Sequence, residues 1–271
     1  MYLDVKGYKT YCYTGGKPFE AAKPTVVFIH GVLNDHSIWI LQTRYFAHHG
    51  FNVLAPDLPG HCKSEGEPPK SVEEAADFII ALLDAAGVKT ATLAGHSFGS
   101  LTALHAASIA PQRVARLALL GTAAPMKVSP ALLDSALNQP MKAIDMVNTF
   151  SHSMLAPPPS ALGPGTWLYG GSKALMRRVL ASNTQVNLFH RGFKACDDYT
   201  AGEAAMDKVQ CPVLFILGKG DSMTLPKMAA PLQAKAKNGK TVLLQAGHQM
   251  MTEAPEEVLF AIRDFLQAPS A

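Results

Sequence analysis

Ala91-Thr-Leu-Ala-Gly-His-Ser-Phe-Gly-Ser-Leu-Thr-Ala-Leu-His-Ala-Ala-Ser-Ile-Ala110 decides how this chain is read. Ala91–Ala94 has the apolar run of a buried strand, Gly95-His-Ser-Phe-Gly99 makes a sharp turn, and Ser100 to Ala110 is predicted as a helix. Glycine stands two residues before and two residues after Ser97, where so tight a strand-to-helix turn leaves no room for larger neighbours. Working upstream, Thr25-Val-Val-Phe-Ile29 is β-branched and aromatic without polar interruption, the pattern of a strand buried on both faces. A helix is predicted between Ser37 and His49, and a strand at Phe51-Asn-Val-Leu-Ala55. Ser71-Val-Glu-Glu74 has capping-box spacing and opens a helix that runs to about Ala86, where Gly87 stops it. Tyr2–Lys6 and Lys9–Tyr13 flank Gly7 as an edge hairpin.

Downstream, Val114–Leu120, Pro212–Gly218 and Thr241–Gln245 read as further strands, and Pro255–Gln267 as a closing amphipathic helix. This alternation predicts an α/β fold, a mostly parallel sheet with helices on both faces. It is interrupted from 125 to 209, which contains helical segments near 130–148 (broken at Pro140) and 172–189 and no strand pattern. Residues 1–124 and 210–271 are therefore expected to form the core, with 125–209 a helical cap.

Composition narrows the function classes. Apolar residues make up 48% and charged residues 17%, enough for a large core. Twenty-four basic and 21 acidic residues leave +3, with no basic stripe for nucleic acid or a membrane surface. No apolar run reaches bilayer-spanning length and the first residues lack a signal-peptide pattern, so a cytoplasmic protein is expected. Cys12, Cys62, Cys196 and Cys211 form no close pair, which argues against a zinc site or a disulfide framework, and no metal or cofactor is expected.

Ser97 on its turn is a candidate nucleophile, and a serine hydroxyl needs a base and an orienting carboxylate. Of ten histidines, His105 falls inside the helix after the turn, and His152 and His190 lie in the insertion. His248 follows the last strand and can reach Ser97 from the carboxyl end of the sheet. Asp221 follows the preceding strand, whereas the loop after Val114–Leu120 offers no acid before Asp134. The N–H groups of Val32, after the first core strand, and Phe98 are candidates for stabilising an oxyanion. His30 and His96 read as loop-packing residues, Asp57–Ser64 as a structural turn, and His48-His49 points apart on a helix rather than to a metal.

With His30-Gly31, Asp57-Leu-Pro-Gly-His61, Gly95–Gly99, Gly218-Lys-Gly-Asp221 and Gly247-His248 in this order, the chain resembles the α/β-hydrolase superfamily in its branch with a single helical cap. The resemblance implies a Ser97–His248–Asp221 triad and an oxyanion hole of Val32 and Phe98. Serine at the turn counts against dehalogenases and epoxide hydrolases, which place Asp there. Cys62 stands where many relatives have Gly. The expected activity is cleavage of small-molecule carboxylic esters of small to medium apolar acids through an acyl-enzyme. Rival readings keep the triad but cleave a thioester, a lactone or a C–C bond beside a ketone, or make the chain a ligand-binding protein without turnover. Met126, Met146, Met154, Trp167 and Met223 are expected to line an apolar pocket. Acyl chains with a charged end should then do worse, unless Arg177, Arg178 or Arg191 partners them.

Overall fold

Strands β1 (Tyr2–Val5), β2 (Tyr8–Tyr13), β3 (Thr25–Ile29), β4 (Asn52–Pro56), β5 (Ala91–His96), β6 (Val114–Leu120), β7 (Val213–Gly218) and β8 (Gly239–Leu244) join in one sheet. Their order is β1-β2-β4-β3-β5-β6-β7-β8 in the computed structural model, which describes residues 1–20, 22–153 and 167–268. The β1–β2 and β2–β4 ladders are antiparallel and the rest parallel, as the alternating sequence predicts. Along β3 the side chains divide between two layers, as a period of two requires. Val27 and Ile29 pack with α2 (Val72–Ala85) and α3 (Phe98–Ile109), while Val26 and Phe28 pack with α1 (Ile40–His48) and the C-terminal helix. The chain leaves β3 for β4 on one side and reaches β5 on the other. The carboxyl ends of β3 and β5 therefore flank a crevice, the place where open α/β sheets bind ligands.

Between β6 and β7 come α4 (Pro130–Asn138), α5 (Pro140–Ser151), α6 (Leu168–Ala181), α7 (Leu188–Asp198) and α8 (Gly202–Lys208). The break at Pro140 is as expected. The single helix expected over 172–189 is instead two, α6 and α7, with a turn between them. Asn183 Oδ1 accepts the N–H groups of Gln185 and Val186, and Asn187 Oδ1 caps α7 by accepting those of Phe189 and His190. These local bonds compete with continued helix and end it. Helices α9 (Ala230–Lys235), α10 (Met250–Glu253) and α11 (Pro255–Gln267) complete the chain.

Packing divides the insertion. Leu132, Ile144, Val147, Met176, Val179 and Phe189 form an apolar cluster of their own, which also buries Leu33 from the loop after β3. Ala195, Cys196, Tyr199, Ala205 and Met206 belong instead to the cluster around α2 and α3. Polar bonds tie the start of the α6–α7 turn to the strand-end loops: Arg178 to Asp35 at 2.6 Å, the Cys62 N–H to Ser182 Oγ at 3.0 Å, and Asn183 Nδ2 to the Gly60 carbonyl at 3.1 Å. Cys62 has a φ of 46°, the left-handed conformation a glycine would adopt without strain. Among the described residues no helix is long and apolar enough to cross a membrane.

Candidate active site

Strand β5 ends at His96 and α3 begins at Phe98, so Ser97 alone turns the chain, with φ 54° and ψ −119°. Non-glycine residues avoid this region, and such strain persists where the surroundings over-determine it. Here the Ser97 N–H still donates to the Leu120 carbonyl of β6 at 2.9 Å. A β-carbon on Gly95 would stand 2.0 Å from the Gly99 carbonyl oxygen, and one on Gly99 would stand 2.3 Å from that of Ile29. Both flanking glycines are required by space.

Asp221 and His248 sit in the loops after β7 and β8. His248 Nδ1 donates to Asp221 Oδ2 at 2.8 Å, which leaves Nε2 as the ring's acceptor. The N–H groups of Met223 and Thr224 each donate to Asp221 Oδ1 at 2.8 Å, and Thr224 Oγ1 donates to Oδ2 at 2.8 Å. Burial works to raise the Asp221 carboxyl, but the adjoining His248 and the Thr224 donors outweigh it and hold the group below its usual range. Thr224 was not foreseen as a site residue, although a Thr three residues after an Asp has the spacing of such a turn.

His248 lies against the residue before the nucleophile. His96 Nε2 donates to the His248 carbonyl at 2.9 Å, and the two rings are 4.6 Å apart. Burial and the neighbouring His248 push the His96 imidazole well below its ordinary value, so it stays neutral. His30 is equally buried and acts as a strut: its Nε2 accepts the Leu58 N–H at 3.1 Å and its Nδ1 donates to the Gly31 carbonyl at 2.9 Å. His105 faces away, hydrogen-bonded to Tyr199. Ser97, Asp221 and His248 are 8%, 1% and 5% exposed. No hydrogen bond joins Ser97 to His248 among the described residues, a contact that in hydrolytic sites commonly tightens only with substrate in place.

The loop after β3 lies on the nucleophile: a β-carbon on Gly31 would come within 3.1 Å of Ser97 Cβ. Its next residue, Val32, and Phe98 line one slot together. Neither N–H is taken by another group among the described residues, and that of Phe98 opens helix α3, where the backbone dipoles favour negative charge.

The expected pocket residues separate. Met146 and Met223 pack against the insertion's cluster, together with Val32 and Leu33. Met126 is buried in the core cluster with Ala123, Ala124 and Phe98, against which Val32 also packs. Trp167 is exposed and lines a cavity of about 470 Å3 with Ile40, Leu41 and Leu175. Met154 lies outside the described residues.

Asp57 is structural, as expected. Its carboxylate accepts His36 Nδ1–H at 2.7 Å and the N–H groups of His36 and Lys63. Asp35, His36 and Asp57 bring ligand-type atoms within 4.8 Å of one another, the one such cluster among the described residues. All four of its carboxylate oxygens already accept hydrogen bonds, those of Asp35 from Ser37 and Arg178, so the group is built as a strut.

The family model described as alpha/beta hydrolase fold matches residues 24–255. A dihydrolipoyllysine-residue acetyltransferase component of the acetoin cleaving system from Pseudomonas putida is 38% identical over 103 residues, 36% of this chain and 26% of that protein. The chain thus matches only about a quarter of that relative's length. A pimeloyl-[acyl-carrier protein] methyl ester esterase from Neisseria meningitidis is 27% identical over 264 residues, 93% of this chain and 79% of that protein. Among solved structures, the enol-lactonase from Burkholderia xenovorans LB400 superposes with a TM-score of 0.83 at 23% identity, covering 99% of this chain and 100% of the other.

Proposed function

The chain belongs to the α/β-hydrolase family, and from that premise we propose that it is an enzyme, a serine hydrolase of small carboxylic esters that works through an acyl-enzyme. The observation that carries this reading is the buried Asp221–His248 pair, 2.8 Å apart, delivered to the same end of the sheet as the strained turn at Ser97. In the proposed cycle His248 Nε2 takes the proton from Ser97 Oγ as that oxygen attacks the ester carbonyl carbon. Negative charge grows on the carbonyl oxygen, where the Val32 and Phe98 N–H groups receive it. His248 returns the proton to the departing alcohol, then activates a water that releases the acid and restores Ser97. Asp221, fixed by Thr224 as well as by its own turn, keeps the imidazole in the tautomer that leaves Nε2 free to accept.

The helices of 125–209 serve as the cap over this chemistry, with Leu33 and Met223 carrying their apolar cluster down to the strand ends. The ester reading, rather than a thioester or a C–C bond, is favoured by the Neisseria relative, an esterase that matches along 93% of this chain. The test is rapid mixing with p-nitrophenyl acetate. A burst of about one p-nitrophenol per chain, absent in Ser97→Ala, is expected. A linear release that Ser97→Ala leaves unchanged would overturn the reading.

A further inference from the structure

We propose that Glu253 is a positioning residue for the reaction: its carboxylate clasps the end of helix α5 to the loop that carries His248, and so holds the base in place from the backbone side. This rests on the reading of Ser97 and His248, and adds what steadies them.

The loop is held residue by residue. The Gly247 N–H donates to Glu253 Oε1 at 3.0 Å, the His248 carbonyl accepts from His96 Nε2 at 2.9 Å, and the Gln249 N–H donates to the Ser151 carbonyl at 2.9 Å. The middle bond comes from the end of β5, and the outer two come from Glu253 and the end of α5. Glu253 Oε2 meanwhile accepts the Ser153 N–H at 3.0 Å and the Ser153 hydroxyl, two residues beyond α5. One half-buried carboxylate thus ties the residue before the base to the insertion. Its own backbone is fixed by α10, where the Glu253 N–H donates to the Gln249 carbonyl at 3.0 Å.

Close packing gives the clasp its leverage. A β-carbon on Gly247 would stand 2.6 Å from the Ser153 nitrogen, 2.7 Å from the Ser151 carbonyl oxygen and 2.8 Å from Glu253 Oε1. One on Gly220 would stand 2.7 Å from Ser153 Cβ. The end of α5 therefore rests on both loops of the Asp221–His248 pair, and the glycine before each of those residues admits it. Other polar side chains at this junction do not share the task. Ser151 Oγ, His152 Nε2 and Gln249 Oε1 are buried without a hydrogen-bond partner among the described residues. The bond to Asp221 sets the tautomer and rotation of the His248 ring, while the clasp sets the backbone that carries it. Proton transfer needs His248 Nε2 within hydrogen-bond reach of Ser97 Oγ, and a shift of about 1 Å can cost on the order of 10²-fold in rate.

The experiment follows, by intact mass, the rate at which a small fluorophosphonate labels the chain. The final extent counts competent sites, whereas the rate reports how well His248 serves Ser97, so lost stability and lost positioning are read apart. Glu253→Ala should slow labelling roughly ten- to hundredfold without lowering the extent. Glu253→Gln, whose amide oxygen can still accept the Gly247 N–H, should recover most of the rate. Glu253→Asp, which keeps the charge but shortens the reach, should fall between them, and it decides the matter if the alanine variant does not fold. Glu256→Gln, an exposed acid in the first turn of α11, should label as the wild type does. In a His248→Ala background, removing Glu253 should change the residual rate by less than about twofold, because Glu253 acts through His248. Wild-type rates in both the Ala and Asp variants, a Gln variant as slow as Ala, or an undiminished effect without His248 would overturn the proposal and leave the ester reading intact. If the wild type is not labelled and turns over no ester, the reading of Ser97 falls, and amide hydrogen exchange over 245–250 decides the clasp alone. Exchange about tenfold faster in Glu253→Asp would support it, and equal exchange would overturn it.

Discussion

The loops at the strand ends and the helices inserted above them are held in different ways. In the loops, the charged and imidazole groups around the site are bound to neighbours: Asp221 by Met223, Thr224 and His248, Asp57 by His36 and Lys63, His30 by Leu58 and Gly31. The insertion coheres through an apolar cluster and reaches the loops by Leu33 and a few polar ties such as Arg178–Asp35. The first arrangement fixes atoms to fractions of an ångström, as proton transfer needs. The second tolerates exchange of apolar side chains, as changes in substrate need. On the proposed reading, chemistry belongs to the loops and selection to the helices, and each half can be tested separately.

The largest expected effect is on the loops. His248→Ala should lower kcat by on the order of 10⁴- to 10⁶-fold with little change in KM, read from steady-state kinetics. Asp221→Asn should cost on the order of 10³- to 10⁴-fold through loss of tautomer control. A smaller loss, of roughly tenfold, is expected from Thr224→Val, which removes one of the donors holding Asp221 and leaves its backbone bonds in place. A Thr224→Val enzyme as impaired as Asp221→Asn would mean that Thr224 does more than position the carboxylate.

Acid should separate the two regions by stability. His61 is held neutral in the fold down to about 4 by burial, against about 6.5 for a free imidazole. Its folded value is depressed, so its contribution is complete above about pH 6.5 and is lost as pH falls toward 4, a loss of about 3 kcal/mol. Buried His30 and His96 act in the same direction. Asp35 faces burial, but its bonds to Ser37 and Arg178 prevail and hold it at about 2, so the tie to the insertion survives this window and fails only below it. Urea unfolding at pH 7 and pH 4.5 should show the drop, reduced in His61→Gln. Equal midpoints at the two pH values would contradict the buried-histidine account.

The smallest effect belongs to the tie itself. Arg178 is more than half exposed while Asp35 is buried, so Arg178→Ala should cost about 1 kcal/mol of stability. It should alter KM more than kcat, because it loosens the inserted helices while Asp35 keeps its bonds from Ser37 and the Asp221–His248 pair is untouched.

How much was legible follows the same division. The turn at Ser97 could be read because Gly95 and Gly99 are demanded by backbone contacts that only glycine permits. The strands could be read because those buried on both faces are apolar throughout, and Asp221 and His248 followed from their order after β7 and β8. The insertion was less legible, since helix ends there depend on single asparagines such as Asn183 and Asn187, and side-chain direction depends on packing. That is why the sequence alone did not show that Met126 packs with Phe98 while Met146 and Met223 meet in another cluster. Thr224 carried a readable turn spacing, whereas nothing local in the sequence placed Gly192 against Val32. That contact arises only when α7 folds onto the loop after β3.

The most direct measurement is intact-mass analysis after a fluorophosphonate, with peptide mapping of the modified site. The account predicts one adduct per chain, on Ser97, lost in Ser97→Ala and slowed by orders of magnitude in His248→Ala. An adduct on another serine, or full-rate labelling without His248, would contradict it.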